Sequence, residues 1–429
     1  MLAGLGQELV DRLIAMGGSP GHLPDSIGFV HSVTPFDPDL CKQAMLQMLS
    51  ESGATVLLHA FVTDVERENE RVQSVRFVNK SGAFSVPARV FIDTTGDADV
   101  AFLAGAKMQN RTCDNRVLDS PNETPQDETA QNKNAQSEAL QDATSQTSQA
   151  QTSQHQTSQT FQSQPMTMYF RMSGVDWNPI RRYILDNPHE FHDETRFDDL
   201  RNGAPLTGVS GYFSKWRRDA GKLGIPRDRL LFFAGVRPDE CYINTSRVTQ
   251  LDGADGFDLS QAEIEGRRQV GVLASWFRAH IDGFQKAYIS TIPAQIGVRE
   301  SRRILGEYLL TQNDVVSGAK FPDCIARSAY PVDIHAPTGD GLVTSQPPPD
   351  WYEIPFRALL PLGLQNLIVA GRCISATHEG HASTRLTPTC FAMGQAAGTA
   401  AALCVQNETL PREIGRELQQ ALCAQGALV

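Results

Sequence analysis

The 429-residue sequence has no run of lysines and arginines, and its formal net charge is −11. Nothing in the chain offsets its repulsion from a phosphate backbone, which excludes nucleic acid as a partner. A small anionic cofactor is compatible with this charge, because backbone N–H groups at helix starts bind anions without net positive charge. Hydrophobic residues make up 41% of the chain and charged residues 20%, as in ordinary globular proteins.

The sequence also lacks the patterns of a membrane or exported protein. No apolar run approaches the roughly 18 residues that a membrane span needs. The N-terminus has no basic region and no signal-peptide cleavage site. We therefore expect no membrane partner and a cytoplasmic location.

The eight cysteines are widely spaced and include no Cys-x-x-Cys pair. This spacing argues against a disulfide scaffold or a zinc ribbon and fits reduced thiols. Sequence distance alone leaves a redox pair of Cys373 and Cys390 open. We expect no metal site, and His155 has no metal-ligating partners near it in the sequence.

Residues 114–165 are rich in Gln, Ser and Thr and have almost no apolar side chains. Such a stretch cannot bury enough surface to offset the entropy of ordering it, so we predict a disordered insertion. The other predicted parts of the chain are the first part of one domain at 1–113, an inserted substrate or cap domain at 166–345, the C-terminal part of the first domain at 346–412 and a tail at 413–429.

Apolar periodicity predicts helices in several places. One runs from Leu5 to Met16, and a second begins near Pro38 and ends at Gly53. Ser260 is followed by a glutamate three residues later, which is the spacing of a capping box. This spacing predicts the start of a third helix.

Two further stretches have the composition of strands. Residues 54–62, "ATVLLHAFV", are continuously apolar, as in a strand that is covered on both faces. In "MTMYFRMSGV", Met166, Met168, Phe170 and Met172 alternate with other residues. The alternation predicts a strand with one buried face.

Two apolar strands end in polar turns. Residues 88–93, "ARVFID", run into Thr-Thr-Gly-Asp, and residues 366–371, "NLIVAG", run into a loop with two histidines and two arginines. Open α/β sheets bind ligands at the carboxyl ends of such strands, although any strand–helix turn also favours glycine. The loop leads to a helix of small residues, capped by Thr387 and starting near Pro388. A neighbouring helix or a flat ring can approach it closely.

Residues 299–303 hold three arginines and one glutamate. One interpretation is a solvated face with internal ion pairs. The other is an arginine clamp for a carboxylate-bearing substrate, or a pin between domains.

The blocks "ARVFIDTTGDADVAFLAGA", "QIGVRESRRILGEYLLTQNDV" and "NLIVAGRCISATHEGHASTRLTPTCFAMGQAAGTAAAL" occur in this order. With the segments between them they resemble the bacterial FAD-dependent oxidoreductase family of heterodisulfide reductase A-like flavoproteins, over almost the whole chain except residues 114–165. The resemblance implies an α/β flavoprotein, in which an inserted α+β substrate domain interrupts a Rossmann-like FAD-binding domain. Some relatives also carry a 4Fe-4S cluster, which the cysteine spacing here does not support.

The resemblance also implies which residues contact FAD, with the flavin lying between the two domains. The implied contacts are Thr95, Gly96 and Asp97 near the pyrophosphate or ribose, Ala370, Gly371 and Arg372 beside the flavin, and Pro388, Thr389 and Met393 at the isoalloxazine edge.

We predict that the protein transfers hydride between a small organic substrate and the flavin. His378 or His381 is the candidate acid or base, since histidine titrates in the useful pH range. Each histidine has the alternative of a loop residue hydrogen-bonded to backbone. Arg299, Arg303 and Arg385 are the candidate substrate anchors. The sequence is also compatible with an oligomer.

Members of the resembled family begin with a strand, a Gly-x-Gly-x-x-Gly turn and a helix, and no such glycine fingerprint occurs in these 429 residues. We therefore expect an incomplete Rossmann-like domain without its N-terminal βαβ unit. The predicted function stays an FAD-dependent oxidoreductase, with the activity of the truncated chain left open. The alternative is a non-catalytic remnant that folds or binds a partner without flavin. A serine hydrolase using Ser383 is disfavoured, because the chain has no nucleophile elbow.

The absent glycine fingerprint predicts the flavin content of the purified protein. The chain as written should purify colourless and poorly soluble, because it lacks the backbone cradle for the pyrophosphate. The same chain extended upstream by a Rossmann βαβ segment should be yellow. Absorbance spectra of the two purified proteins check this. A stoichiometric flavin spectrum from the unextended chain would contradict the truncation, and a colourless extended chain would contradict the flavoprotein assignment.

Overall fold

Local patterning produces helices and strands close to where apolar periodicity predicts them. The computed structural model describes residues 2–109, 163–336, 342–344 and 347–429. The insertion predicted at 114–165 lies outside these ranges except for its last three residues. Gln164 is only 2% exposed. The folded chain therefore resumes before the predicted boundary.

The described residues form one compact unit of mixed α/β structure, which confirms the predicted class, while the domain boundaries stay a prediction. No helix in the described ranges is long and apolar enough to cross a membrane. The helices are α1 (Gly4–Ala15), α2 (Pro38–Glu51), α3 (Asp99–Leu103), α4 (Trp177–Asp186), α5 (Phe197–Arg201), α6 (Phe213–Ala220), α7 (Gly256–His280), α8 (Gln312–Ser317), α9 (His378–Thr384), α10 (Thr387–Asn407) and α11 (Gly415–Ala424). The strands are β1 (Leu23–Pro24), β2 (Ser32–Val33), β3 (Phe61–Glu68), β4 (Arg71–Asn79), β5 (Gly82–Pro87), β6 (Phe91–Asp93), β7 (Phe170–Ser173), β8 (Gly208–Gly211), β9 (Leu230–Ala234), β10 (Cys241–Ile243), β11 (Tyr288–Thr291), β12 (Cys324–Ser328), β13 (Asp333–His335), β14 (Leu342–Thr344), β15 (Tyr352–Pro355) and β16 (Leu367–Val369).

The first two helices lie where periodicity predicts them, whereas α7 begins earlier than expected. α1 buries Leu9 and Leu13, and Asp37 caps α2 by accepting hydrogen bonds from its first-turn N–H groups. α7 is capped in the same way by Asp255. Ser260 therefore lies inside the helix, where its hydroxyl donates to the carbonyl four residues earlier.

The larger hydrophobic core lies on a five-stranded antiparallel sheet in the order β11-β7-β10-β9-β8. The predicted alternation is confirmed, because Met168, Phe170 and Met172 are each at most 1% exposed. Trp276 of α7 joins this core and packs edge-on against Trp216, with ring centroids 5.1 Å apart. Bulky aromatic side chains thus fill the core that residues 166–296 form.

A parallel pair of short strands positions the polar turns. β6 and β16 pair with Leu367 opposite Phe91 and Val369 opposite Asp93. α3 follows β6, and α9 and α10 follow β16, so each strand leads into a helix as in a Rossmann-like domain. Because the strands are parallel, the two turns after them lie side by side.

Residues 54–60 are not a strand, which corrects the prediction for this apolar run. β3 begins only at Phe61, and Leu57 and Leu58 are 52% and 62% exposed. A strand buried on both faces needs neighbouring strands and a covering layer. No strand of the described residues pairs with this stretch. Apolar composition alone therefore does not make it a strand.

Asn366 joins the start of β16 to β4, and its side chain generates a stability prediction. Its amide accepts from the Val72 N–H at 2.9 Å and donates to the Val72 and Arg89 carbonyls at 2.9 and 3.1 Å. Asn366→Ala should lower the free energy of unfolding by about 2 kcal/mol, because it leaves buried backbone groups unpaired.

Gln365→Ala is the control. The side-chain amide of Gln365 donates to the exposed Glu70 carboxylate, so this variant should lose less than about 0.5 kcal/mol of unfolding free energy. Urea titration measures both, and equal losses would contradict the prediction.

Candidate functional site

A buried carboxylate organises the turn after β6. Asp93 is fully buried. Its Oδ1 accepts hydrogen bonds from the Thr95 N–H at 3.0 Å and the Thr95 hydroxyl at 2.8 Å, and its Oδ2 accepts from the Ala101 N–H at 2.9 Å. Its carbonyl accepts from the N–H of Ala370, in the turn after β16. Sequence reasoning identified Thr95 and Ala370 but missed Asp93. No motif in the sequence indicates that this aspartate, at the end of an apolar strand, binds the turn that follows it.

An ion pair between Arg372 and Asp97 joins the two turns. Arg372 Nη2 lies 2.9 Å from Asp97 Oδ1, and Arg372 Nη1 donates to Ser301 Oγ at 2.9 Å. Gly96 has a φ of +82°, and a Cβ there would lie 2.7 Å from Arg372 Nη2. Gly371 has a φ of +91° and open space where a Cβ would lie. The structure thus brings together predicted cofactor residues from both strand ends.

α10 packs against β6 and β16 and begins with free backbone donors. It starts at Thr387, one residue earlier than predicted, and no side chain caps it. Its first-turn N–H groups and its dipole therefore present partial positive charge. Pro388 in this turn is exposed, whereas Thr389 and Met393 are buried. Pro388 is therefore the predicted cofactor contact on this helix that is open to solvent.

A buried ion cluster surrounds Glu300, which is 3% exposed. Glu300 Oε1 pairs with Arg303 and accepts a hydrogen bond from His378 Nδ1 at 2.9 Å, while Oε2 accepts from the Gln164 N–H at 3.1 Å. Burial raises the pKa of Glu300, but the hydrogen bond from His378 and the charge of Arg303 outweigh burial and hold this pKa well below its usual range. Glu300 is therefore ionised at neutral pH.

Arg303 has the contacts of a structural pin. Its side chain is 1% exposed, and its Nε donates a hydrogen bond to the backbone carbonyl of Ala376, just before α9. Arg302 pairs with Asp99 at the start of α3. The interpretation of residues 299–303 as a solvated face is therefore wrong, because this segment ties the two strand-end regions together.

Both histidines that were predicted on a loop lie in helix α9, which corrects that prediction, and their environments differ. His378, the first residue of α9, has a side chain that is 21% exposed. His381 is fully buried, and neither of its ring nitrogens has a hydrogen-bond partner. Burial, together with the positive charge of Arg303, lowers the pKa of His381 well below its ordinary value. His381 is therefore neutral at pH 7, and His378 is the histidine with access to solvent.

A cavity of about 630 Å³ is lined in part by Asn244 and Asp333. Arg299 donates to Asn244 Oδ1 at 3.3 Å. Arg385 donates to Gln164 Oε1 at 3.2 Å and to the Asp333 carbonyl at 3.5 Å. Neither arginine lines the cavity, but both predicted substrate anchors donate hydrogen bonds to residues that do.

The described cysteines are free thiols. Burial raises the pKa of Cys373 to about 12 and that of Cys390 to about 11, so neither is a thiolate at neutral pH. A reactive pair is not supported. In the described part of the chain no group of histidine, cysteine or carboxylate side chains is placed to hold a metal ion, and His155 lies outside that part.

A family model for FAD-dependent oxidoreductases matches residues 1–162 and 146–422. The chain therefore belongs to the FAD-dependent oxidoreductase family, and FAD is the cofactor that this family assigns to it. No curated protein matches the chain.

Two solved structures show similarity to the chain. A geranylgeranyl bacteriochlorophyll reductase-like protein from Thermoplasma acidophilum is 10% identical with a TM-score of 0.38, over 90% of this chain and 59% of that one. The flavin-dependent brominase Bmp2, as a triple mutant, is 12% identical with a TM-score of 0.38, over 94% of this chain and 70% of that one. The chain thus spans about 59% of the length of the reductase-like protein.

The Glu300 cluster generates a prediction for stability. Glu300→Gln should lower the free energy of unfolding at pH 7 by about 3 kcal/mol, because it removes one half of a buried ion pair with Arg303. The folded-state pKa of Glu300 is depressed, so its contribution is complete above the unfolded pKa of about 4.3 and is lost as the pH falls through the folded value. The gap between wild type and variant should therefore narrow below about pH 4.

Urea titrations from pH 7 downwards measure this gap. Glu379→Gln is the matched control, since Glu379 lies next to His378 and has no ion pair in the described residues. A gap that stays constant as the pH falls would contradict the assigned charge state of Glu300.

Proposed function

We propose that the protein is an oxidoreductase that transfers hydride between a small organic substrate and FAD, and that within its family it is related to the heterodisulfide reductase A-like flavoproteins. The observation that carries this proposal is the adjacency of two polar groups. Ser301 contacts Arg372 in the strand-end turns, and its chain neighbour Glu300 holds His378. A cofactor-binding edge and a positioned histidine therefore lie next to each other.

The strand-end turns fit a flat, anionic cofactor. α10 offers uncapped N–H donors, Gly371 leaves open space at the end of β16, and Asp97 and Ser301 hold the Arg372 guanidinium. When bound, FAD supplies a ring that accepts or gives up hydride. The positive end of α10 favours negative charge beside it, which is the charge that flavin gains on reduction.

His378 is the acid or base of the proposed reaction. Glu300 accepts from its Nδ1 and so fixes the ring orientation, which leaves Nε2 to exchange a proton with the substrate. His381 is excluded from this role by its burial. Arg299 and Arg385 donate to neutral oxygens within the described residues, so their charge is available to orient an anionic substrate.

His378→Asn tests the acid–base role in flavin-loaded protein. Asparagine retains a donor near Glu300 but removes Nε2, so flavin absorbance and melting temperature should be unchanged. Reduction of the flavin should be slower by about a hundredfold, with a flattened pH profile. The probe is whichever member of a panel of alcohols, amines and hydroxy acids bleaches the flavin of the wild-type protein fastest under anaerobic conditions.

His189→Asn is the control, because the side chain of His189 is 76% exposed. Its rate and pH profile should match those of the wild type. Unchanged flavin reduction in His378→Asn, combined with a lower melting temperature, would assign His378 a structural role. Failure of every form of the protein to bind FAD would favour the non-catalytic alternative.

A further inference from the structure

The cavity of about 630 Å³ has an apolar wall and a cationic wall. Its volume is within the usual range for small-molecule sites. Arg227 and Arg247, which sequence reasoning did not single out, line the cationic side and are 5% and 3% exposed. The apolar side is formed by Ile27, Phe29, Val30, Val33, Leu231 and Phe233.

Arg227 is the informative residue of this cavity. Its Nη1 is buried and has no hydrogen-bond partner. Burial, together with the charge of Arg247, lowers the pKa of Arg227 to about 9. Asp228 and Asp333 act on Arg227 only through their charge, and in the described residues neither forms an ion pair with it. A buried guanidinium that lacks an ion pair destabilises a fold, because its desolvation is only partly compensated. The contacts of the described residues do not explain why an arginine occupies this position.

The three aspartates that line the cavity are already engaged elsewhere. Asp228 accepts two hydrogen bonds from Arg229, at 2.8 and 2.6 Å. Asp25 accepts from two backbone N–H groups of its own loop, both at 3.0 Å. Asp333 accepts from the Tyr330 hydroxyl at 3.2 Å. In the described residues none of these carboxylates forms an ion pair with Arg227.

We propose that this cavity binds a carboxylate carried on an apolar body, with the carboxylate at Arg227 and Arg247 and the body against Phe29 and Phe233. A carboxylate brings one negative charge and accepts the paired donors of a guanidinium. A phosphate brings nearly two charges. Three aspartates in the same lining oppose that extra charge, so the cavity favours the carboxylate.

The cavity is connected to the Glu300 cluster by a short polar chain. His335, which lines the cavity, donates its backbone N–H to Gln164 Oε1 at 3.4 Å. Arg385 donates to the same oxygen, and the Gln164 N–H donates to Glu300. This ligand is therefore the substrate class of the oxidoreductase; that identification rests on the proposed function, whereas the anion site itself does not.

Isothermal titration with naphthylacetate and its neutral isostere naphthylacetamide tests the site. Wild-type protein should bind the acid about ten- to a hundredfold more tightly than the amide, which is the range of a charge-assisted hydrogen bond. Arg227→Met should abolish this preference without lowering the melting temperature, because it removes a buried charge that has no ion pair in the described residues. Arg182→Gln, at an exposed arginine of α4, is the charge-matched control and should retain the preference.

Equal binding of acid and amide by wild type, or an unchanged preference in Arg227→Met, would overturn the proposal. Tighter binding of naphthyl phosphate than of naphthylacetate would overturn the assignment of a carboxylate. If Arg227→Met does not fold, Val33→Trp fills the half-buried rim of the cavity without touching the arginines. It should prevent binding of the acid, and retained binding would refute the location.

Flavin absorbance after incubation with FAD, measured on the same protein preparation as the titrations, separates the two proposals. Bound FAD without carboxylate binding would refute the anion site and leave the oxidoreductase standing. Carboxylate binding without FAD would refute the oxidoreductase and leave the anion site standing.

Discussion

The charge balance around Glu300 is the constraint on which the site depends. This one buried carboxylate compensates Arg303 and fixes His378, while the backbone of Gln164 is bonded to it from another part of the chain. A buried carboxylate is stable only when cations and N–H donors surround it. The three segments that supply those groups must therefore come together before the site exists. The same contacts of Glu300 therefore determine both the geometry of the site and its stability.

Two different means of holding negative charge lie within this small region. At the strand ends, the uncapped backbone N–H groups of α10 provide partial positive charge, and a glycine leaves open space at the end of β16. In the neighbouring cavity, whole guanidinium groups are buried against an apolar wall. The first arrangement suits a large cofactor that lies along the backbone, and the second suits a small ligand that is enclosed by side chains.

Sequence reasoning found the strand-end turns because their signals are local. An apolar strand followed by Thr-Thr-Gly-Asp, or by Ala-Gly-Arg, indicates its own position. Arg227 has no such signal, because "IPRDRLLFF" reads the same whether its arginines are buried or exposed. Gln164 was hidden by its resemblance to the polar stretch before it. Residues 54–60 show the converse error, since an apolar run becomes a strand only where neighbours pair with it.

The aromatic pair in the larger core has a spectroscopic consequence. Trp216 is fully buried, and its indole N–H donates to the backbone carbonyl of Arg227 at 2.8 Å. The emission wavelength of an indole depends on the dipoles around it, and this carbonyl belongs to a residue of the cavity wall. Trp216 also lies against Trp276, at a distance where the two rings exchange excitation. We therefore expect a ligand in this cavity to change the intrinsic fluorescence of the protein, so that Trp216 would report its binding.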